Sequence, residues 1–359
     1  MTNVNSTSLN SFLDFISVDE GIYLISTSNK RFGDTGTGEE KYLKQYEVDN
    51  NFINRVCDGL IKILNESSAD TGGPALEIGC GTGIFSRALV CSKAFPEYLI
   101  TDASRQFLFI TRALITQSTD FKSEKTQDCI HFGLLHDDEL HLLPQKTFSL
   151  IAARYVLHHI LDWRSFIGIS AKLLRHGGIL TFEEGCRDGY LIQAILVSFL
   201  PLLMRCNKKN PFRDRCKRFL TGRASSLNPD RIIEKQVKQF VDTITWFARQ
   251  DVDKSKDGDK HLFRVPEIII EGRKHGLEVE YFPNAGYDTL SSQRPEIPFE
   301  DELYHNLKVN FGFGETIVDL VKEHLNPHLQ IIRDVSGAGG SPYLKGVFVC
   351  KRVGCSLVK

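Results

Sequence analysis

Glu77, the loop Gly79-Cys80-Gly81-Thr82-Gly83 and Asp102 are the residues of this chain whose types and spacing point most directly to chemistry. Three glycines in five residues let the backbone turn sharply and lie close against a ligand. A helix starting behind them offers free N–H groups. The apolar run before the loop reads as a strand and the sequence from Ile84 as a helix, so the loop stands where one hands over to the other. Two cofactor classes use such a loop. The dinucleotide fingerprint GxGxxG fails in register, because its last position is Ile84 counted from Gly79 and Ser86 counted from Gly81. The form present, GxGxG with an acid on the strand before it, suits a nucleoside cofactor without a pyrophosphate. Alone it is weak, since an ordinary tight turn uses the same residues. Asp102, nineteen residues after Gly83, strengthens it. A carboxylate there can accept hydrogen bonds from both ribose hydroxyls. Its rival use is as a helix N-cap, for which Ser104 is the better residue.

These residues need a scaffold that brings strand ends to one edge. Short apolar runs at 75–79, 97–101, 129–135, 148–153 and 179–183 read as buried strands. Helical patterns alternate with them. Phe52, Ile53, Val56, Cys57, Leu60, Ile61 and Leu64 share one face ahead of the first run. Phe107, Leu108, Thr111, Leu114 and Ile115 share another, and Trp163, Phe166, Ile167, Leu173 and Leu174 a third, with Gly177-Gly178 as its stop. Residues 266–276 read as a further helix, and 277–282 and 344–351 as two closing strands. The pattern predicts an α/β fold with a doubly wound, mostly parallel seven-stranded sheet. We divide it into an N-terminal helical arm (1–70), a cofactor-binding core (71–185), a helical insertion (186–262) and a C-terminal part of the sheet (263–359) interrupted at 284–342.

Composition narrows the class. Apolar residues make up 42% and charged residues 25%, the balance of a globular protein. A formal net charge of -1 offers no general attraction for nucleic acid or an anionic membrane. The nine cysteines are scattered without CxxC spacing, so neither a disulfide framework nor a metal site is expected, and the chain reads as cytoplasmic. The first thirty residues lack a basic head and an apolar core, so no secretory leader is expected. The most apolar stretch, 190–204, is roughly fifteen residues, short of the ~20 that a bilayer span needs.

The chain resembles class I S-adenosylmethionine-dependent methyltransferases, in particular the small-molecule group that includes those of ubiquinone and menaquinone biosynthesis. The residues that carry the likeness are Leu76-Glu-Ile-Gly-Cys-Gly-Thr-Gly83, Asp102-Ala-Ser-Arg-Gln-Phe-Leu108, Leu143-Pro144 with Phe148-Ser-Leu-Ile151, Val156-Leu-His-His-Ile160 and Leu173-Leu-Arg-His-Gly-Gly-Ile-Leu180. They cover about residues 50–185, with a weaker echo in 262–283. The resemblance implies a Rossmann-like methyltransferase fold with a helical lid, S-adenosyl-L-methionine as methyl donor and S-adenosyl-L-homocysteine as product. It implies that Glu77 and the loop Gly79, Cys80, Gly81, Gly83 hold the methionine part, and Arg154 is a further cofactor-binding candidate. Asp102 and Ala103 would take the ribose. Asp137 or Asp138 would contact the adenine, although the acid lies one residue farther from Leu143-Pro144 than the family pattern has it. Tyr42 or Tyr46 would close the N-terminal side.

Methyl transfer is an in-line displacement at an activated methyl, so the protein chiefly aligns the nucleophile and excludes water. A base near the methyl helps when the acceptor must lose a proton. Arg154, Tyr155, His158, His159, Glu183, Glu184 and Asp188 follow the fourth and fifth strands and project towards that point. His158 and His159 are the candidate bases, each with local packing as a rival role. Glu184 is the candidate for substrate contact, with helix capping as its rival; His131 and His136 read as structural. In the insertion, Tyr190, Leu191, Ala194, Ile195, Ser198, Phe199 and Leu202 make an apolar helix suited to roof a pocket or to serve as a plain core helix. Lys208, Lys209, Arg213, Arg215, Lys217, Arg218 and Arg223 follow it. That cluster reads as a solvated face, with an anionic substrate tail or weak membrane-surface contact through 190–223 as sharper alternatives.

The expected activity is methylation of oxygen, nitrogen or carbon on a small, fairly apolar metabolite. The rivals are an RNA or protein methyltransferase using the cluster at 208–223, and a non-catalytic cofactor-binding subunit. A nucleic-acid substrate is disfavoured because Ala152-Ala-Arg-Tyr155 stands where base-modifying enzymes carry Asn/Asp-Pro-Pro-aromatic. The oligomeric state is left open, a homodimer being one option.

Overall fold

In a computed structural model, residues 9–26, 50–117, 128–199, 201, 229–249, 261–283, 285–290, 299–309, 315, 318, 319, 322 and 345–353 are described. They divide into two compact units, one of residues 1–184, 265–294 and 346–359 and the other of 185–264 and 295–345.

The apolar runs of the first unit are buried strands. In chain order they are β1 (Val18–Asp19), β2 (Ile22–Leu24), β3 (Ala75–Ile78), β4 (Tyr98–Asp102), β5 (Ile130–Leu134), β6 (Phe148–Arg154), β7 (Leu174–Gly185), β8 (Leu277–Pro283) and β9 (Lys345–Arg352). They lie side by side as β1-β2-β5-β4-β3-β6-β7-β9-β8. The ladders from β2 through β7 are parallel, and β1/β2 and β8/β9 are antiparallel. Strand order reverses between β3 and β6, the switch point at whose carboxyl edge open α/β sheets bind ligands.

Nine strands replace the expected seven, because the N-terminal segment contributes a hairpin as well as the helix α1 (Leu9–Leu13). Glu20 and Gly21, at φ 50° and 76°, form a two-residue turn with both φ positive, the hairpin type matched to strand twist. Strands of two and three residues are too short to show alternation, which is why the sequence read this region as a loose arm.

Helices α2 (Asn50–Glu66), α3 (Ile84–Cys91), α4 (Arg105–Gln117) and α5 (Trp163–Leu173) follow the predicted faces with local exceptions. In α2 the buried stripe takes Ile63 and leaves Ile61 exposed; in α4 Leu114 is exposed. Asp162 caps α5 by accepting the Ser165 N–H at 3.0 Å. Gly177-Gly178 does not stop α5 but lies inside β7, where the register to β6 shifts between Phe148 and Leu150. A Cβ on Gly178 would fall 2.8 Å from the Phe148 carbonyl oxygen, so glycine permits this irregular pairing.

The segment read as an insertion at 284–342 returns residues 285–290 to the first unit, where Tyr287–Leu290 forms a short helix against α2. The contact requires Gly59, since a Cβ there would lie 1.8 Å from the Tyr287 carbonyl oxygen. Gly59→Ala is expected to cost about 1–3 kcal/mol by overpacking, seen as a lower melting temperature. An unchanged melt would mean that the helices part without penalty.

The second unit contains α6 (Arg187–Ser198), α7 (Pro229–Ala248) and, after α8 (Val265–Lys274) and α9 (Tyr287–Leu290) of the first, α10 (Phe299–Val309). Its chain crosses itself at a parallel bridge between Cys186 and Phe263. Ala194, Leu196, Val197, Val237, Phe240, Ile244, Leu303 and Leu307 form its core. The buried side of α6 therefore includes Leu196 and Val197, while Ile195 and Phe199, placed on that face from sequence, are exposed. No described helix is long and apolar enough to cross a membrane. The basic cluster at 208–223, Tyr42 and Tyr46 lie outside the described residues.

Candidate active site

Beyond β3, Gly79, Gly81 and Gly83 all take left-handed backbone, at φ 72°, 50° and 77°. They differ in what surrounds them. A Cβ on Gly79 would meet Val156 Cγ2 at 2.6 Å, whereas one on Gly81 would meet nothing within 4 Å. The loop is thus packed from below and open at Gly81, the opening a ligand needs for close approach. Cys80 is buried in the turn, its N–H donating to the Thr101 carbonyl at 2.9 Å.

Asp102 ends β4 and braces this loop. Its Oδ2 accepts the Gly81 N–H at 2.9 Å and its Oδ1 the Ser104 N–H at 2.8 Å. Burial raises its pKa, and the backbone N–H groups of Gly81 and Ser104 pull it back. Ser104 Oγ accepts the Phe107 N–H at 3.4 Å, so Ser104 performs the capping and Asp102 is spared it. Asp102 thus stands at the strand end against the open glycine loop, and half-buried Ala103 follows. Asp102→Ala should weaken cofactor affinity more than tenfold, about 1.4 kcal/mol or greater by calorimetry. An unchanged affinity would remove Asp102 from the site. Asp137 and Asp138 are exposed in the first turn of a short 3-10 helix, Asp137–Leu142. They stand beside the end of β4, where the Leu135 N–H donates to the Asp102 carbonyl at 3.0 Å.

Glu77 is 1% exposed beneath the loop, and its Oε2 has no hydrogen-bond partner. Burial pushes its carboxyl up to about 8, and the charge of Asp102 adds to the rise. A buried acceptor without a partner, next to a glycine cradle open on one side, fits a nucleoside whose tail brings a hydrogen-bond donor.

The ends of β6 and β7 bring together a second group of polar side chains. Glu183 and Glu184 are adjacent and both fully buried, a costly arrangement that the alternation of a strand resolves by sending them to different partners. Glu183 accepts the Tyr155 hydroxyl at 2.6 Å and Arg154 Nε at 3.1 Å. Tyr155 is left-handed at φ 55°, held there by this bond and by its N–H to the Glu183 carbonyl at 3.0 Å. Non-glycine residues in that region persist where the surroundings fix them, often at functional sites. The Arg154 guanidinium lies over the rings of Tyr155 and Phe52, at 5.0 and 5.7 Å from their centroids.

Glu184 turns to the other segment. Its Oε1 accepts the N–H groups of Val156 and Leu157 at 2.8 and 2.6 Å, and its Oε2 lies 2.8 Å from His158 Nδ1. It therefore both caps the short helix Leu157–His159 and orients His158, with its own carboxylate wholly buried. The His159 ring lies 4.0 Å from that of His158, centroid to centroid. His131 and His136 are away from this group; His131 packs edge-on to Tyr23 at 5.8 Å, and His136 donates its N–H to Ser26 at 2.7 Å.

Sequence reasoning missed Tyr287. Its ring is fully buried 4.8 Å from that of Phe85, its hydroxyl lies 3.0 Å from Thr181 Oγ1, and its N–H points at Glu183 Oε2 over 3.5 Å. A lone tyrosine between Gly286 and Asp288 has no periodic neighbours to reveal it.

Residues 22–216, more than half of the chain, match the sequence model of a methyltransferase-domain family. Among curated proteins, the chain is 28% identical over 127 residues to the hybrid PKS-NRPS synthetase pydA of Acremonium sp, which is 33% of this chain and 3% of that protein. It is 27% identical over 122 residues to the reducing polyketide synthase Preu2 of Preussia isomera, 34% of this chain and 5% of that one. The chain thus spans a small fraction of either relative's length. A similar solved structure is an S-adenosylmethionine-dependent methyltransferase from Clostridium acetobutylicum, with TM-score 0.45 and 11% identity over 89% of this chain and 99% of that one. Another is phosphoethanolamine N-methyltransferase 2 of Haemonchus contortus with S-adenosyl-L-methionine, with TM-score 0.45 and 14% identity over 89% and 58%. With a Rossmann-like sheet, a GxGxG turn open at Gly81 and Asp102 at the next strand end, the chain belongs to the methyltransferase-domain family, as a class I enzyme with S-adenosylmethionine as cofactor.

Proposed function

We propose that this enzyme methylates a small, fairly apolar metabolite whose attacking atom first loses a proton to His158. The observation that carries the reading is the 2.8 Å contact between His158 Nδ1 and fully buried Glu184. When bound, the cofactor supplies a sulfonium-activated methyl group. Glu184 fixes the tautomer with the proton on Nδ1, which makes Nε2 the basic nitrogen. As His158 accepts the acceptor's proton, the negative charge of Glu184 stabilises the imidazolium that forms. The freed electron pair of the acceptor makes the new bond to carbon, and the electrons of the broken carbon–sulfur bond stay on sulfur. Glu183, Arg154 and Tyr155 hold the neighbouring strand end in place.

Two relatives are by name polyketide enzymes, and we extend that to this chain as an acyl acceptor with an acidic carbon between two carbonyls. Against nucleic acid stand the net charge of -1 and the Ala152-Ala-Arg-Tyr155 sequence. Deuterium exchange tests the reading. With S-adenosylhomocysteine bound, the enzyme should exchange the central hydrogens of a simple 1,3-diketone, and His158→Ala should not. Equal exchange by both proteins would sink the assignment of His158 as base.

A further inference from the structure

Two of the three glycines in the loop after β3 are held by packing. A Cβ on Gly79 would strike Val156, and one on Gly83 would fall 2.9 Å from Thr111 Oγ1 and 3.1 Å from its Cγ2. Gly81 has no such neighbour within 4 Å. Glycine has more backbone freedom than any other residue, so something besides packing sets Gly81 at φ 50°. Hydrogen bonds from two side chains do so. The Gly81 N–H donates to Asp102 Oδ2 at 2.9 Å, and its carbonyl accepts the Thr111 hydroxyl at 3.1 Å.

Thr111 lies in α4, thirty residues along the chain from Gly81, and is fully buried. Its place is on the apolar face of that helix, where a valine would fill the same space without a hydroxyl to bury. A helical threonine ordinarily returns its hydroxyl to a carbonyl three or four residues back. Thr116, in the same helix, does this, donating to the Arg112 and Ala113 carbonyls at 3.0 and 3.2 Å. Thr111 instead carries its hydroxyl out of the helix to the loop. The direction of that bond matters. No described peptide is cis, and across a trans peptide the carbonyl and the next N–H point to opposite sides. With the Gly81 carbonyl drawn towards α4, the Thr82 N–H is turned away from that helix. Among the described residues this N–H makes no hydrogen bond.

We propose that Thr111 is a positioning residue for the cofactor. Its hydroxyl holds the Gly81 carbonyl back and so presets the Gly81–Thr82 peptide in the orientation that the cofactor meets. Thr111 acts through the loop and does not itself touch the ligand. With Asp102 it ties both polar groups of the one glycine that packing leaves loose. A loop ordered in advance removes a cost that binding would otherwise have to meet. The inference rests on the S-adenosylmethionine assignment and is independent of the role of His158.

Calorimetry with S-adenosylhomocysteine on the full chain tests it. Thr111→Val, which keeps the shape and drops the hydroxyl, should weaken binding about fivefold to tenfold, the effect of one buried hydrogen bond. Thr111→Ala should lose as much, and Thr111→Ser, which keeps the hydroxyl, should recover most of the affinity. Hydrogen exchange over residues 78–84 should quicken in Thr111→Val and slow again in Thr111→Ser, while the other strands exchange as in the parent. A general loss of stability would not stay confined to the loop. Parent affinity in both Thr111→Val and Thr111→Ala overturns the proposal. So does weakening in Thr111→Val alone, which would mark crowding by the added methyl group. A folded Thr111→Ser chain as weak as Thr111→Ala overturns it too, by assigning the loss to packing on Gly83. A parent chain that binds no S-adenosylhomocysteine overturns the cofactor assignment instead, so the two failures are separable.

Discussion

His158→Ala is expected to lower kcat by about 10²–10⁴-fold while leaving cofactor affinity unchanged, because general-base assistance is worth that much when the acceptor must be deprotonated. The imidazole is held by one buried carboxylate, so the loss should be shared. Glu184→Gln presents an amide where His158 requires an acceptor, favours the wrong tautomer and should cost a comparable factor. The two losses should not add, since they disable one unit. Glu184 also caps Val156 and Leu157, so some stability will go with it; the separation of kcat from the melting temperature distinguishes the two roles. Full turnover in His158→Ala would mean that the acceptor arrives already ionised.

Glu183→Ala carries the second large effect, on stability. The carboxylate is fully buried and neutralises Arg154, whose side chain is 19% exposed. Removing one member of a buried pair strands the other and typically costs about 3–5 kcal/mol. Here the Tyr155 hydroxyl loses its acceptor as well, and with it one of the contacts that hold left-handed backbone at that residue. Glu183→Gln keeps an acceptor oxygen and should lose less. Combining Glu183→Leu with Arg154→Met should recover much of the loss, because no charge is then left uncompensated. A Glu183→Ala melt within a degree of the parent would refute the role of the pair.

Much of this site was readable from residue types because it sits on regular elements. Glu77, Gly79, Gly81 and Asp102 follow apolar runs whose ends mark one sheet edge, and spacing alone separated a nucleoside cofactor from a dinucleotide. The same logic placed Arg154 and Glu184 at strand ends. What the sequence withheld is direction and partnership. Adjacent acids look alike in a sequence, yet Glu183 takes Arg154 and Tyr155 while Glu184 takes His158. Tyr287 was hidden because long-range packing against Gly59 and Thr181, rather than any local pattern, places it. The β1–β2 hairpin escaped because its strands are shorter than one period of alternation could reveal. Gly177-Gly178 misled for a related reason: a glycine pair signals close backbone approach without saying whether a helix ends or a strand bulges.

The place of β9 has a consequence for how the chain is made. It is synthesised after both β7 and β8 yet lies between them, its buried residues Val347–Cys350 filling the gap and Phe348 stacking on Phe182 at 5.0 Å. Until residue 352 has left the ribosome, β7 presents an unpaired apolar edge and β8 has no neighbour to dock on. Nascent chains halted before Lys345 should therefore be the forms that recruit chaperones or pair edge to edge, although every residue of the cofactor cradle has already emerged.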